Sequence, residues 1–255
     1  MTKKPIVSRK RARMNIRTAS VRDIDDLLKL EKVAWSEEAQ ADMDTYKARL
    51  EVFPEGIFIG ERDGNIEGAA VTQIINSECL GTNFTWESIT DNGKIIKTHN
   101  PTGDALYGVN LSVKPKCIGN DLVCAIMMAI ARMIIERNLK FGVLGGRIPG
   151  LSKYIYKRRL DADFMNKAAR DNIVSEYVFG KTKYGRPLDP EIALYQRLGL
   201  TPIRILDNYF PDPPSLNYGV LLLWINPYYS NLIYKKLGIT FGKYIYRLNR
   251  LLRKY

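Results

Sequence analysis

The chain has 255 residues, 45% of them apolar, which is enough to bury one large core; it holds one His and three scattered cysteines, Cys79, Cys117 and Cys124. That inventory gives neither a metal-ligand set nor a disulfide framework, and it points to a reducing, cytoplasmic setting. The net charge of +12 is uneven: 13 cations and no acids lie in 1–13 and 228–255, leaving 26 cations against 27 acids in 14–227, so a cationic nucleic-acid-binding face on the body is not expected. The longest apolar run, 122–135, is interrupted by Arg132 and too short to span a bilayer, and the first residues show no signal-peptide core.

In chain order, residues 14–19 read as a first strand. Ser20, with Asp23 three residues on, caps a helix that buries Ile24, Leu27, Leu28 and Leu30. Residues 36–52 read as a second helix, closed by Pro54 and Gly56. Strands at 57–62 and 66–76 flank Asp63-Gly64-Asn65, a hairpin turn. A polar, irregular stretch runs to Asp104. Then come a strand at 106–113, a short loop, an apolar helix at 122–137 and a strand at 141–145. Residues 147–188, rich in Lys, Arg and Tyr, read as an inserted lid. Asp189-Pro190 opens another helix with Pro at its first position, and strands at 202–206 and 218–225 close the body around a Pro-rich loop.

The loop at 113–123, VKPKCIGNDLV, lies between a strand and a helix, where unpaired backbone N–H groups and the helix dipole favour an anion. Asp121 puts a carboxylate in that place. Either it caps the helix and satisfies the loop internally, or a phosphate site persists with Lys114 and Lys116 compensating.

Several stretches carry a family resemblance. GVNLSVKP (108–115) and ALYQRLGL (193–200) are similar to the fourth strand and the late helix-to-strand motif of the GNAT superfamily of N-acetyltransferases. HNPTGDALYGV (99–109), GGRIPG (145–150) and DNYFPDPPSLNYGVLLLW (207–224) resemble the GNAT domains found joined to carbon–nitrogen hydrolases. The resemblance covers about residues 14–227. It implies an α/β (α+β) GNAT fold: a mixed sheet of six or seven strands, helices on both faces, and splayed fourth and fifth strands. It also implies acyl transfer from a pantetheine thioester, on coenzyme A or an acyl carrier protein, to the amine of a small molecule or a peptide side chain, with no metal. Leu111, Ser112 and Val113 would line the pantetheine arm. The superfamily's phosphate-binding pattern falls on Ile118, Gly119, Asn120, Asp121, Leu122 and Val123, and none of its key positions matches, which favours a carrier-protein donor.

Tyr195 falls at the superfamily's general acid, or is a core Tyr beside Ile192 and Leu198. His99, with a reference pKa near 6.5, is a candidate general base or a solvated loop His, and Glu87 is a second candidate at the site. Arg147 could clamp a carboxylate or phosphate, or pair structurally with the lid. Met127, Met128 and Met133 could border an acyl chain or simply pack on the sheet. In the tail, 228–255, Leu237, Phe241, Tyr244, Leu248 and Leu252 follow helical spacing opposite Lys236, Lys243, Arg247, Arg250 and Lys254. That pattern fits a peripheral membrane contact, an acidic partner such as a carrier protein, or packing on the body. A non-catalytic binding module on the same fold is the alternative to an enzyme.

Overall fold

The computed structural model describes residues 14–81, 84–117, 121–160 and 164–230. The basic arm, 1–13, and the tail beyond Ser230 lie outside them, as do Ile118, Gly119 and Asn120 of the loop.

The elements are β1 (Met14–Thr18), α1 (Ile24–Ala34), α2 (Met43–Val52), β2 (Ile57–Arg62), β3 (Asn65–Ile75), α3 (Trp86–Thr90) and β4 (Ala105–Val113), then α4 (Asp121–Glu136), β5 (Phe141–Arg147), α5 (Leu151–Arg158), α6 (Lys167–Phe179), α7 (Pro190–Arg197), β6 (Thr201–Leu206) and β7 (Gly219–Ile225). The seven strands form one sheet in the order β1-β2-β3-β4-β5-β7-β6. Every pairing is antiparallel except β4 with β5.

Local chemistry accounts for most boundaries. The Ser20 N–H and hydroxyl both bond Asp23 Oδ2 at 2.8 Å, closing the turn that launches α1. The expected helix 36–52 starts later, at Met43, because the Asp42 carboxylate accepts from Thr45 N at 2.8 Å and caps it there; residues 37–39 form a separate single turn. Asp63 and Gly64 both have positive φ, 50° and 82°, which makes the hairpin a two-residue type I′ turn with Asn65 already in β3. Asp121 is the first residue of α4, in the turn where the dipole favours a carboxylate.

Helices cover both faces. Glu31 of α1 bonds Asn110 and Ser112 on one face of β4. On the other, a Cβ built on Gly60 or Gly68 would lie 2.7 or 3.2 Å from Leu122 of α4, so α4 rests directly on β2 and β3. Along β5, a Cβ on Gly142 would meet Ile134 of α4 and one on Gly146 would meet Tyr195 of α7, placing α4 and α7 on that same face.

Described parts of the segment 147–188 pack on the sheet. Ile148, Leu151, Ile155, Val174, Tyr177 and Val178 are buried with Val220 and Leu222 in a second core on the sheet. The Asp189 side chain joins the pieces: it caps α7 through Glu191 N and Ile192 N and accepts the Tyr177 hydroxyl at 2.8 Å. The segment's apolar positions are at helical spacing, so burial against the strands outweighs the pull of its surface charge.

Candidate active site

β4 and β5 pair from Ala105↔Phe141 to Gly108↔Leu144 and no further. Beyond that point β4 stays with β3 as far as Val113, while β5 follows β7 as far as Arg147. The two parallel strands therefore separate into a fork. A bulge at Val109, between the pairs Thr72↔Gly108 and Val71↔Asn110, bends β4 where the fork opens. The β4 edge facing the fork has no β5 partner along 109–113, which leaves backbone groups for an extended ligand to pair with.

A cavity of about 770 Å³ occupies the fork and the groove between α4 and α7. Leu111 and Val113 line it, and so do Asp121 and Val123. Ser112 does not: its hydroxyl is turned away to Glu31 Oε1 at 2.8 Å and accepts the Trp35 indole N–H at 2.8 Å. It shares the α1 side of the strand with Asn110, which bonds the same Glu31 but does reach the cavity. Leu122, in the first turn of α4, is fully buried against β2 and β3 rather than at the wall.

Tyr195 lines the cavity from α7. Burial of the phenol, followed by the charge of Glu191, pushes its pKa well above the ordinary value, so it stays protonated through neutral pH. One helical turn earlier, Glu191 lines the same wall. Burial raises its carboxyl to about 7; the Arg147 cation pulls the other way, while Asp189 and Asp212 add to the rise. Arg147, at the end of β5, lies in the wall with its guanidinium 5.5 Å from the Trp35 ring centroid and 2.6 Å from Asp212 Oδ1. Asp212 in turn accepts the Ser215 hydroxyl. A protonated phenol, a carboxyl raised to about 7 and a fixed cation thus line one cavity.

The two base candidates from the sequence do not. His99 is outside the cavity, stacked on Phe53 at 4.4 Å, with Nδ1 accepting from Ile74 N at 3.2 Å. Burial, then the Arg137 charge, lowers its pKa. Glu87, in the first turn of α3, is not part of the lining either. Met127 and Met128 line the groove, whereas Met133 is buried in the core.

Sequence reasoning missed Glu191, whose signal was its i, i+4 spacing from Tyr195 just after Asp189-Pro190. It also missed Trp35, Trp86 and Phe210, which form edge-to-face contacts (centroids 6.4 Å for Trp35–Phe210 and 5.3 Å for Trp86–Phe210) and line the fork on the α1 side. They come from three separate segments, which no local pattern joins.

No protein-family model matches the sequence. The uncharacterized N-acetyltransferase YkwB of Bacillus subtilis (strain 168) is 31% identical over 232 residues, covering 87% of this chain and 93% of that protein. The chain belongs to the GNAT superfamily of N-acetyltransferases. As a GNAT protein it is also 31% identical, over 227 residues, to the probable hydrolase YhcX of the same organism. That match takes in 89% of this chain but only 41% of the longer relative. Among solved structures, the loading GNATL domain of CurA from Lyngbya majuscula superposes with a TM-score of 0.67 at 22% identity, covering 84% of this chain and 98% of that one, a likeness of fold. The protein is accordingly a GNAT acyltransferase. No helix among the described residues is long and apolar enough to cross a membrane.

Proposed function

We propose that the protein transfers an acyl group from a pantetheine thioester to a primary amine at the fork, with Glu191 as general base and Tyr195 as general acid. The observation that carries this reading is the pairing on one face of α7 of a carboxyl raised to about 7 with a phenol held protonated, both in the cavity wall. The pantetheine arm lies along β4 beside Leu111 and Val113, and a β4 backbone N–H facing the fork stabilises the tetrahedral oxyanion. A neutral amine attacks the thioester carbon. As the C–N bond forms, the nitrogen becomes acidic and its proton passes to Glu191. The C–S bond breaks, and Tyr195 protonates the departing thiolate. Glu191 then returns its proton through solvent to the phenolate, leaving an amide, a free thiol and both side chains restored.

The donor is an acyl-carrier-protein thioester in this proposal. Two features support it: the departure of 118–123 from the superfamily's phosphate pattern, and cationic ends that suit an acidic carrier. The amine belongs to a small molecule or a peptide side chain. The test is thiol release measured together with amide formation, using matched acyl-coenzyme A and acyl-carrier donors and a panel of amines. Stoichiometric thiol and amide, lost in Glu191→Gln, supports the reading. Thiol release without amide across the panel contradicts it.

A further inference from the structure

We propose that the part of the cavity on the α1 side of the fork binds a carboxylate borne by one of the reacting substrates, with Arg147 as its anchor. This rests on the reading of the fork as the site of acyl transfer and adds the class of substrate it selects.

Arg147 is an expensive residue in this position. Its neighbours in the wall are aromatic: Trp35 beneath the guanidinium, and Phe210 against both Trp35 and Trp86. Cations leave water for such a wall only when something compensates. Asp212, 9% exposed, supplies one partner through Nη2, yet that bond uses one of five guanidinium N–H groups. Nε is closed off from solvent and has no partner among the described residues. The side chain as a whole remains 31% exposed, so a guanidinium fixed by a ring below and a carboxylate behind still presents Nη donors to the cavity. That is the geometry that receives a planar, bidentate anion.

Glu191 decides which anion fits. It faces the same space and interacts electrostatically with Arg147. A ligand with an amine toward Glu191 and a carboxylate toward Arg147 matches both charges, as an amino acid would. A carboxylated acyl group on the thioester would meet Arg147 in the same way, with Glu191 left for the amine. The shared chemistry is the carboxylate, and its source is what the experiment separates.

The experiment compares kcat/KM for substrates that differ only in that group. One arm uses an amino acid against its carboxamide and its decarboxylated amine. The other uses a dicarboxylic monothioester against its carboxamide and the simple acyl thioester. The inference expects a preference of about 10- to 100-fold for the carboxylate in one arm, the usual effect of a charge-assisted pair. In Arg147→Gln that ratio falls to about one, and Arg147→Lys keeps only part of it. A preference in the amine arm assigns the carboxylate to the acceptor, and one in the thioester arm assigns it to the donor. No preference in either arm, or one that Arg147→Gln retains, overturns the inference. The wild-type comparison needs no variant, so a misfolded Arg147→Gln does not remove the test. Reaction without discrimination refutes only this inference, whereas no reaction with any pair refutes the reading beneath it.

Discussion

Replacing Glu191 by Gln should make the protein more stable and less active at the same time. In the unfolded chain this carboxyl ionises near 4.5, and in the folded protein only near about 7. The folded form therefore holds the proton more tightly across that interval. The stability so gained is complete below 4.5 and is lost as the pH rises through 7. A difference of about 2.5 pH units corresponds to at most about 3 kcal/mol, and Glu191 is only partly buried, so the true value lies below that limit. Gln is close in shape and never ionises, so at pH 8 the variant should melt higher by up to roughly 10 °C for a domain of this size, with the gain vanishing near pH 4.5. Its kcat/KM should fall by about 10²- to 10⁴-fold, the usual range for a lost general base. The rising limb near pH 7 should disappear, leaving only the limb from the amine itself. Thermal melts at pH 4.5 and 8, with kcat/KM measured from pH 5.5 to 9, check both halves. A variant that melts lower at pH 8, or that keeps the limb near pH 7, refutes this account of Glu191.

Three further outcomes are expected. Tyr195→Phe should lower kcat by about 10²-fold or more with little change in donor affinity, since only the leaving-group proton is removed; steady-state kinetics with donor titration reads this. His99→Gln should lower the melting temperature through lost packing on Phe53 and leave the limb near pH 7 in place. Because the folded pKa of His99 is depressed, wild type should lose its contribution as the pH falls below about 6.5, and this loss should be absent in the variant. Asp121→Gly with Ile118→Arg should raise coenzyme A affinity by about 1–3 kcal/mol, less about 1 kcal/mol for the lost favourable carboxylate at the helix start, as titration calorimetry would show.

The fold was largely legible because its signals are local. The Asp63-Gly64 turn, the Ser20–Asp23 box, the Asp189-Pro190 start and the apolar period of α4 each act over a few residues, and all appear in the structure. Tyr195 was singled out by its match to the family motif and Arg147 by its place at the end of a strand, and both lie in the cavity wall. Ser112 was named with its neighbours Leu111 and Val113 as one stretch, and its bonds to Glu31 and Trp35, both distant in sequence, could not be read locally. His99 drew attention as a lone titratable group, but its ring is part of the packing around Phe53. Glu191 needed the structure because its raised pKa comes from burial and from the surrounding charges of Arg147, Asp189 and Asp212, two of them far away in sequence. The aromatic wall likewise exists only once α1, α3 and the loop before β7 meet at the fork.

The most direct test of the central claim is a crystal structure with a hydrolysis-resistant acyl-pantetheine analogue. The account predicts the pantetheine arm extended along β4 at 109–113, inside the fork, with the thioester sulfur within hydrogen-bond reach of the Tyr195 hydroxyl and the acyl carbon open to an amine beside Glu191. An analogue bound outside the fork, or bound within it with its sulfur away from α7, would contradict the account.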